Sequence, residues 1–377
     1  MRGERKGMWK LLKVLCVFAA LVSCRNDRID DRIPFKNSKK EMNIERTSFA
    51  KLPGWKSDDQ AAALASFKKS CDKIASEGEF VASNQLVISS SFIGEACRDA
   101  PKNATSAQAR AFFEKWFEPY LVSNIEGKAD GLVTGYYEAE VEGSHTKTAR
   151  HTVPIYGRPD DLSDNSKYKS RREIETRGLE GAAPVLFWAK SASEVHVLHI
   201  QGSGRVKTPD GQLHRIGFGG ANGHAFKGIG GILKENNVDV GGTYSMVNVK
   251  KWLDAHPEAA RKFMQQNDRF IFFRRVEGDG PVGALGVALT PMRSIAVDND
   301  FIPLGMPLFL TTTGPDGENI NKLVVAQDIG SAIKGAVRVD LFYGFGQAAF
   351  DKAGRMSSQG RYYILLPKDG KSFAAKR

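Results

Sequence analysis

Apolar positions fall into three regimes along the chain. The first is nearly continuous: Leu11–Val22 is apolar apart from Lys13 and follows a basic start. The second has helical spacing. Residues 58–75 repeat in this way after an Asp58-Asp59 start that suits a cap. Residues 105–117 do so behind Ser106, with Ala109, Phe112, Phe113 and Trp116 on one face. These stretches predict two helices, and 251–263 predicts a third. The third regime is a series of short β-branched or aromatic runs, which predict strands. Residues 131–138, 185–188, 195–200 and 267–273 belong to it, and after 283 so do 287–289, 294–297, 308–310, 323–325, 336–339 and 362–366. Closely spaced short strands with Gly and Pro turns favour a barrel over a doubly wound sheet.

The apolar start is too short and too flanked by charge to span a membrane, and it reads as a secretory signal over 1–23. It ends in Leu21-Val22-Ser23-Cys24, which resembles a bacterial lipoprotein box with Cys24 as the lipidated residue. Arg25 follows, so nothing resembles an Asp-based inner-membrane retention signal. The expected location is the outer membrane, facing the periplasm. Residues 24–50 are polar and read as a lipid-anchored tether. Residues 51–139 and 276–377 are expected to form a main domain, and the loop-rich stretch 140–275 an inserted β domain.

The net charge of +11 is partly signal: five cations and one anion in residues 1–23 leave +7 for the remainder. A basic exported protein suits an acidic polymer such as the cell wall. Nucleic acid is excluded as a partner, since no recognition module is present. Of four cysteines, Cys71 and Cys97 remain once Cys16 and Cys24 are set aside. In an oxidising compartment they pair or stay as two buried thiols. No Cys/His spacing suits a metal, and no cofactor is expected.

Candidate chemistry concentrates in LVVAQDIGSAIKGAVRVDL, residues 323–341. Asp328 and Asp340 each end an apolar run, twelve positions apart, where strands leave a core. Turn residues or acid–base carboxylates both fit that placement. Asp298 is a third aspartate at a strand end. In Gly135-Tyr136-Tyr137-Glu138, adjacent strand residues face opposite sides. Either one tyrosine lines a groove, where a ring suits a sugar face, or both pack. Gln201-Gly202-Ser203-Gly204-Arg205 is a turn after a predicted strand and could bring backbone amides to a ligand. It lacks the GxGxxG pattern of a nucleotide site. His196 and His199, on that strand, would face opposite sides.

Taken in order, AVDNDFIPLG, AQDIGSAIKG and VRVDLFYG, together with GYYE at 135–138, PIYGRP at 154–159 and HIQGSGR at 199–205, resemble the membrane-bound lytic murein transglycosylase A family. The resemblance runs from about 104 to 366, with Ser331 where the family pattern has Gly. It implies a mainly β chain with some α. A double-psi β-barrel main domain with helices would face a smaller inserted β domain across a substrate groove. It implies non-hydrolytic cleavage of the β-1,4 bond between N-acetylmuramic acid and N-acetylglucosamine, leaving 1,6-anhydromuramic ends. Asp340 would be acid and base, Asp328 its neighbour and tuner, and Asp298 structural. Tyr136, Tyr137, Gln201, Gly202, Ser203, Gly204 and Arg205 would bind substrate. Expected partners are peptidoglycan glycan strands and cell-wall synthesis proteins, for a monomer. The competing expectations are a hydrolytic muramidase using both aspartates and a non-catalytic wall-binding lipoprotein.

Overall fold

The computed structural model describes residues 32–34 and 42–375, apart from 77, 79, 164, 165 and 279. The expected signal segment and Cys24 lie outside the described residues. In chain order the first elements are β1 (Arg32–Pro34), β2 (Met42–Arg46), α1 (Gln60–Ser76), β3 (Phe80–Ala82), β4 (Leu86–Ser89), α2 (Ser90–Asp99), α3 (Ser106–Trp116), β5 (Phe117–Asn124) and β6 (Gly131–Ser144). Next come β7 (Val153–Tyr156), α4 (Arg171–Arg177), β8 (Val185–Ala189), α5 (Ala192–Gln201), β9 (Gly204–Lys207), β10 (Leu213–Ala221), α6 (Ile229–Glu235), α7 (Met246–Ala255), α8 (Pro257–Met264) and β11 (Ile271–Val276). The chain ends with β12 (Ser294–Val297), β13 (Pro307–Thr313), β14 (Asn319–Ile329), β15 (Val339–Phe345), α9 (Gly346–Ala353), β16 (Ser357–Pro367) and β17 (Phe373–Ala375). The architecture is mixed α/β with more strand than helix.

One hydrogen-bonded path runs β16-β13-β14-β12-β15-β6, and β6 also pairs with β16, so the path closes on itself. The largest apolar core packs on these strands and joins them to α1, α2 and α3, with Ile295, Val297, Leu308, Phe309, Leu323, Val339 and Leu341 all at most 1% exposed. β6 is the spine of the molecule. Its first half pairs with β15 and β16, and its second half pairs with β9 and β8. Gly135 on β6 has a steric reason, because a Cβ there would lie 2.8 Å from the Tyr343 ring and 2.9 Å from Ala353 Cα. Further apolar clusters serve the 140–275 region: one under β7, β8 and α5 also takes in Tyr137, Ala139 and Ala349, Phe350 and Ala353 of α9, and another lies among α6, α7 and α8.

Several expectations change in the tertiary structure. The run 195–200 is helix α5, with Val195, His196, Val197, Leu198 and His199 all buried. A continuous apolar run does not distinguish a buried strand from a buried helix. Gly202, at φ 75° and capping through its amide to Leu198, terminates the helix. His196 and His199 therefore do not alternate across a sheet; both are buried, and Arg171 contacts His199 Nδ1 at 2.9 Å. The helix expected over 251–263 is two helices broken at His256-Pro257. Residues 287–289 form no strand. The stretch expected to be tether through 50 is folded from 42 on, since Met42 and Ile44 of β2 are buried in the main core. Thr105, not Ser106, caps α3: its side chain accepts from Gln108 N, and Gln108 Oε1 accepts from Thr105 N at 2.9 Å. Cys71 and Cys97 form a disulfide joining α1 to α2, with Cα atoms 5.9 Å apart.

Candidate active site

The two aspartates meet through register. On β12, Ala296 pairs with Asp340 of β15 on one side and with Asp328 of β14 on the other. Directly opposed residues share a face, so both carboxylates project from the Ala296 side, away from the core that holds Ile295 and Val297. Two strand spacings put their Cα atoms about 10 Å apart. Ala296 offers only a methyl between them. Asp340 lies at the start of β15 and not at the end of a 336–339 strand, because the chain at 330–337 is loop.

Both carboxyls keep a partial opening to solvent yet are closely ringed by protein. Burial pushes each up to about 6. At Asp340 the Arg338 charge and a Thr134 hydrogen bond pull the other way. Thr134 Oγ1 donates to Asp340 Oδ1 at 2.7 Å and accepts from Arg338 Nη2 at 2.7 Å. Arg338 offers donors alone, so the Thr134 proton is directed to Oδ1 and Oδ2 is left to carry an exchangeable proton. At Asp328 burial is opposed by the amides of Ala284 and Ile329, both donating to Oδ1 at 2.9 Å, while the Asp340 charge adds to the rise.

Tyr136 and Tyr137 point to opposite sides of β6. Tyr136 has its ring 5.2 Å from Phe342 and its hydroxyl within electrostatic reach of both aspartates. Burial, then the two carboxylate charges, hold that hydroxyl well above its ordinary pKa. It faces Asp328 without a hydrogen bond of good geometry. Tyr137 is 7% exposed and packs on Phe350, and its amide donates to Gln201 Oε1 at 3.1 Å.

The other motif residues sit further along β6. Arg205 pairs with Glu140 at 2.9 Å and with buried Glu138 at 3.6 Å, and its guanidinium stacks 4.3 Å from exposed Phe345. Glu138 is four residues beyond Thr134, or about 13 Å along the strand. Gly202 caps α5 in a left-handed conformation, and a Cβ on Gly204 would strike Leu198 Cδ1 at 2.3 Å and Ala139 O at 2.6 Å, so the first glycine has a conformational reason and the second a packing reason to be there. No protein contact brings Ser203 to the aspartates. Asp298, 2% exposed, accepts from Gly335 N at 2.9 Å and Asp300 N at 3.3 Å, and Lys334 reaches it at 3.4 Å. It thus fastens the loop between the two strands that carry Asp328 and Asp340, and Lys334 has a partner that sequence reasoning did not supply.

Thr134, Arg338 and Glu138 were missed as functional residues. Glu138 lies inside a recognised motif. Arg338 lies inside another, VRVDLFYG, and Thr134 directly precedes GYYE, but Thr134 meets Asp340 only through the parallel pairing of β6 with β15. Among the described residues no group of His, Cys, Asp or Glu could hold a metal, and no helix is long and apolar enough to cross a membrane.

Residues 132–274 match the family model of the MltA specific insert domain, and 293–366 match that of the 3D domain. The chain is 31% identical over 245 residues to the membrane-bound lytic murein transglycosylase A of Escherichia coli (strain K12), a match spanning 63% of this chain and 66% of that one. It resembles the crystal structure of MltA from Neisseria gonorrhoeae with a TM-score of 0.75 at 32% identity, over 89% of this chain and 94% of that one. It also resembles E. coli MltA with bound chitohexaose, with a TM-score of 0.59 at 27% identity, over 74% and 82% of the two chains.

Proposed function

The chain belongs to the membrane-bound lytic murein transglycosylase A family, and from that premise we propose that it cleaves peptidoglycan glycan strands without water, with Asp340 as acid and then base. The observation that carries this reading is Asp340 itself: a partly exposed carboxyl ringed by protein, raised to about 6 and held through Oδ1 by Thr134. A glycosidic oxygen needs a proton as it leaves, and a carboxyl near 6 keeps a usable protonated fraction near neutral pH. The Asp340 carboxylate then takes the proton of the muramyl 6-hydroxyl as that oxygen closes on its own anomeric carbon. The bond to N-acetylglucosamine breaks and the 1,6-anhydro ring forms, so neither water nor a protein nucleophile is consumed.

Asp328 supports the site from the far side of Ala296. Its Oδ1 is committed to two backbone amides, which suits a carboxylate that holds structure. The relative's bound chitohexaose supports a glycan as substrate class. The closed six-strand path is in keeping with a double-psi barrel, and the two apolar clusters that lie wholly within 140–275 with an inserted domain forming the second wall of a groove. The membrane-bound names of relatives agree with lipidation at Cys24 and an outer-membrane location facing the periplasm.

Mass spectrometry of muropeptides released from purified wall tests the proposal. Anhydromuramic ends from the unmodified protein, and none from Asp340→Asn, are the expected result. Reducing muramic ends would instead establish a hydrolytic muramidase using both aspartates, and wall binding without release would establish a non-catalytic binder.

A further inference from the structure

Asp328 reaches the Ala296 face because of an irregularity in β14. Ile295 of β12 pairs with Ala326, but the next residue, Ala296, pairs with Asp328, so Gln327 is an extra residue in β14. In a regular register Gln327 would oppose Ala296, and Asp328 would oppose Val297 on the core side. A one-residue slip sends a side chain to the other face, and bulges beside active sites commonly aim one.

The bulge is anchored by its own side chain. Gln327 is 0% exposed, in the main core between β14 and α1. Its Oε1 accepts from Ser294 Oγ at 2.6 Å and Ser66 Oγ at 3.1 Å. Its Nε2 donates to Ser66 O at 2.8 Å and Ser70 Oγ at 2.9 Å. That exhausts the two acceptor and two donor positions of a carboxamide, an expensive set of bonds to bury unless all are made. The backbone is held as well. Leu285 N donates to Gln327 O at 3.1 Å, and a Cβ on Gly283 would come within 2.4 Å of that oxygen. The same 283–285 strap delivers the Ala284 amide to Asp328.

We propose that Gln327 is a positioning residue for the aspartate pair. Its carboxamide, locked to α1 through Ser66 and Ser70 and to β12 through Ser294, fixes the bulge that turns Asp328 toward the Ala296 face. Gln327 touches neither substrate nor Asp340 and acts through Asp328. The inference rests on the reading of Asp328 as part of the site.

The test compares Gln327→Leu, Asp328→Asn and their combination, using muropeptide release from purified wall and site-resolved amide exchange. Gln327→Leu is expected to lower kcat about tenfold to a hundredfold with KM little changed, the cost of a misplaced site group. Asp328→Asn should match it, and the combination should be no worse than either alone. Exchange at Ala284 should quicken about tenfold in Gln327→Leu as its acceptor moves away, while β13 amides stay slow. Losses that multiply in the combined variant, or an Ala284 amide still protected in Gln327→Leu, would overturn the proposal. Should Gln327→Leu fail to fold, Ser70→Ala and Ser294→Ala each remove one anchor and are read in the same two ways. If Asp328→Asn leaves release intact while Asp340→Asn abolishes it, the assignment of Asp328 to the site fails, and the exchange result alone decides whether Gln327 sets the bulge.

Discussion

Thr134→Val removes one hydroxyl from beside Asp340 and replaces it with a methyl of similar size. The hydroxyl donates to Asp340 Oδ1 at 2.7 Å and is fixed in that direction by Arg338. A hydrogen bond to a charged group is worth about 1.5–3 kcal/mol, and at about 1.4 kcal/mol per pKa unit its loss raises Asp340 by about one to two units. The hydrogen bond favours the carboxylate, so losing it favours the acid. In the proposed mechanism cleavage begins from protonated Asp340, so activity should fall as pH rises through its pKa of about 6. The alkaline limb of the profile should therefore move up to about pH 7–8 in the variant. Initial rates of anhydromuropeptide release measured from about pH 4 to pH 9, with melting curves as the fold control, give that limb directly. An unmoved limb, or one displaced toward acid, would refute both the role of Thr134 and the assignment of the limb to Asp340.

Two further outcomes follow from the same structure. Asp340 titrates in the folded chain about two units above its ordinary value of 3.8, so the native state binds the proton more tightly and loses stability as pH rises between 3.8 and about 6. Asp340→Asn should accordingly raise the melting temperature above pH 6, by the equivalent of up to about 3 kcal/mol, with the advantage vanishing below about pH 4; a gain independent of pH would contradict burial as the cause. Replacing Cys71 and Cys97 by Ser releases a link spanning 26 positions. Urea titration should show about 3 kcal/mol lost, and unchanged stability would mean that the α1–α2 packing does not need the bridge.

The aspartates, the GYYE strand and the short-strand character of the last third were legible because strand alternation and turn chemistry are local properties. α3 was legible for the same reason, to within one residue at its cap. Helix α5 was not, since its two-sided burial erased the periodicity that would have marked it. Nor was β15, whose start at Val339 is set by pairing with β6 and β12 and not by the apolar run before it.

The sequence by itself determined which chemical groups are present: three aspartates after apolar runs, two adjacent tyrosines, and a pair of cysteines able to join. The tertiary structure decided which of them meet. Asp328 and Asp340 share a face because both pair with Ala296, and Gln327 adds the one residue that makes this so. Thr134 reaches Asp340 across a strand pair from 206 positions away in sequence, and Arg338, on the same segment as Asp340, orients the Thr134 hydroxyl. Register, burial and the resulting rise of both carboxyls are properties of packed strands, and no local pattern encodes the free energy of a group's desolvation.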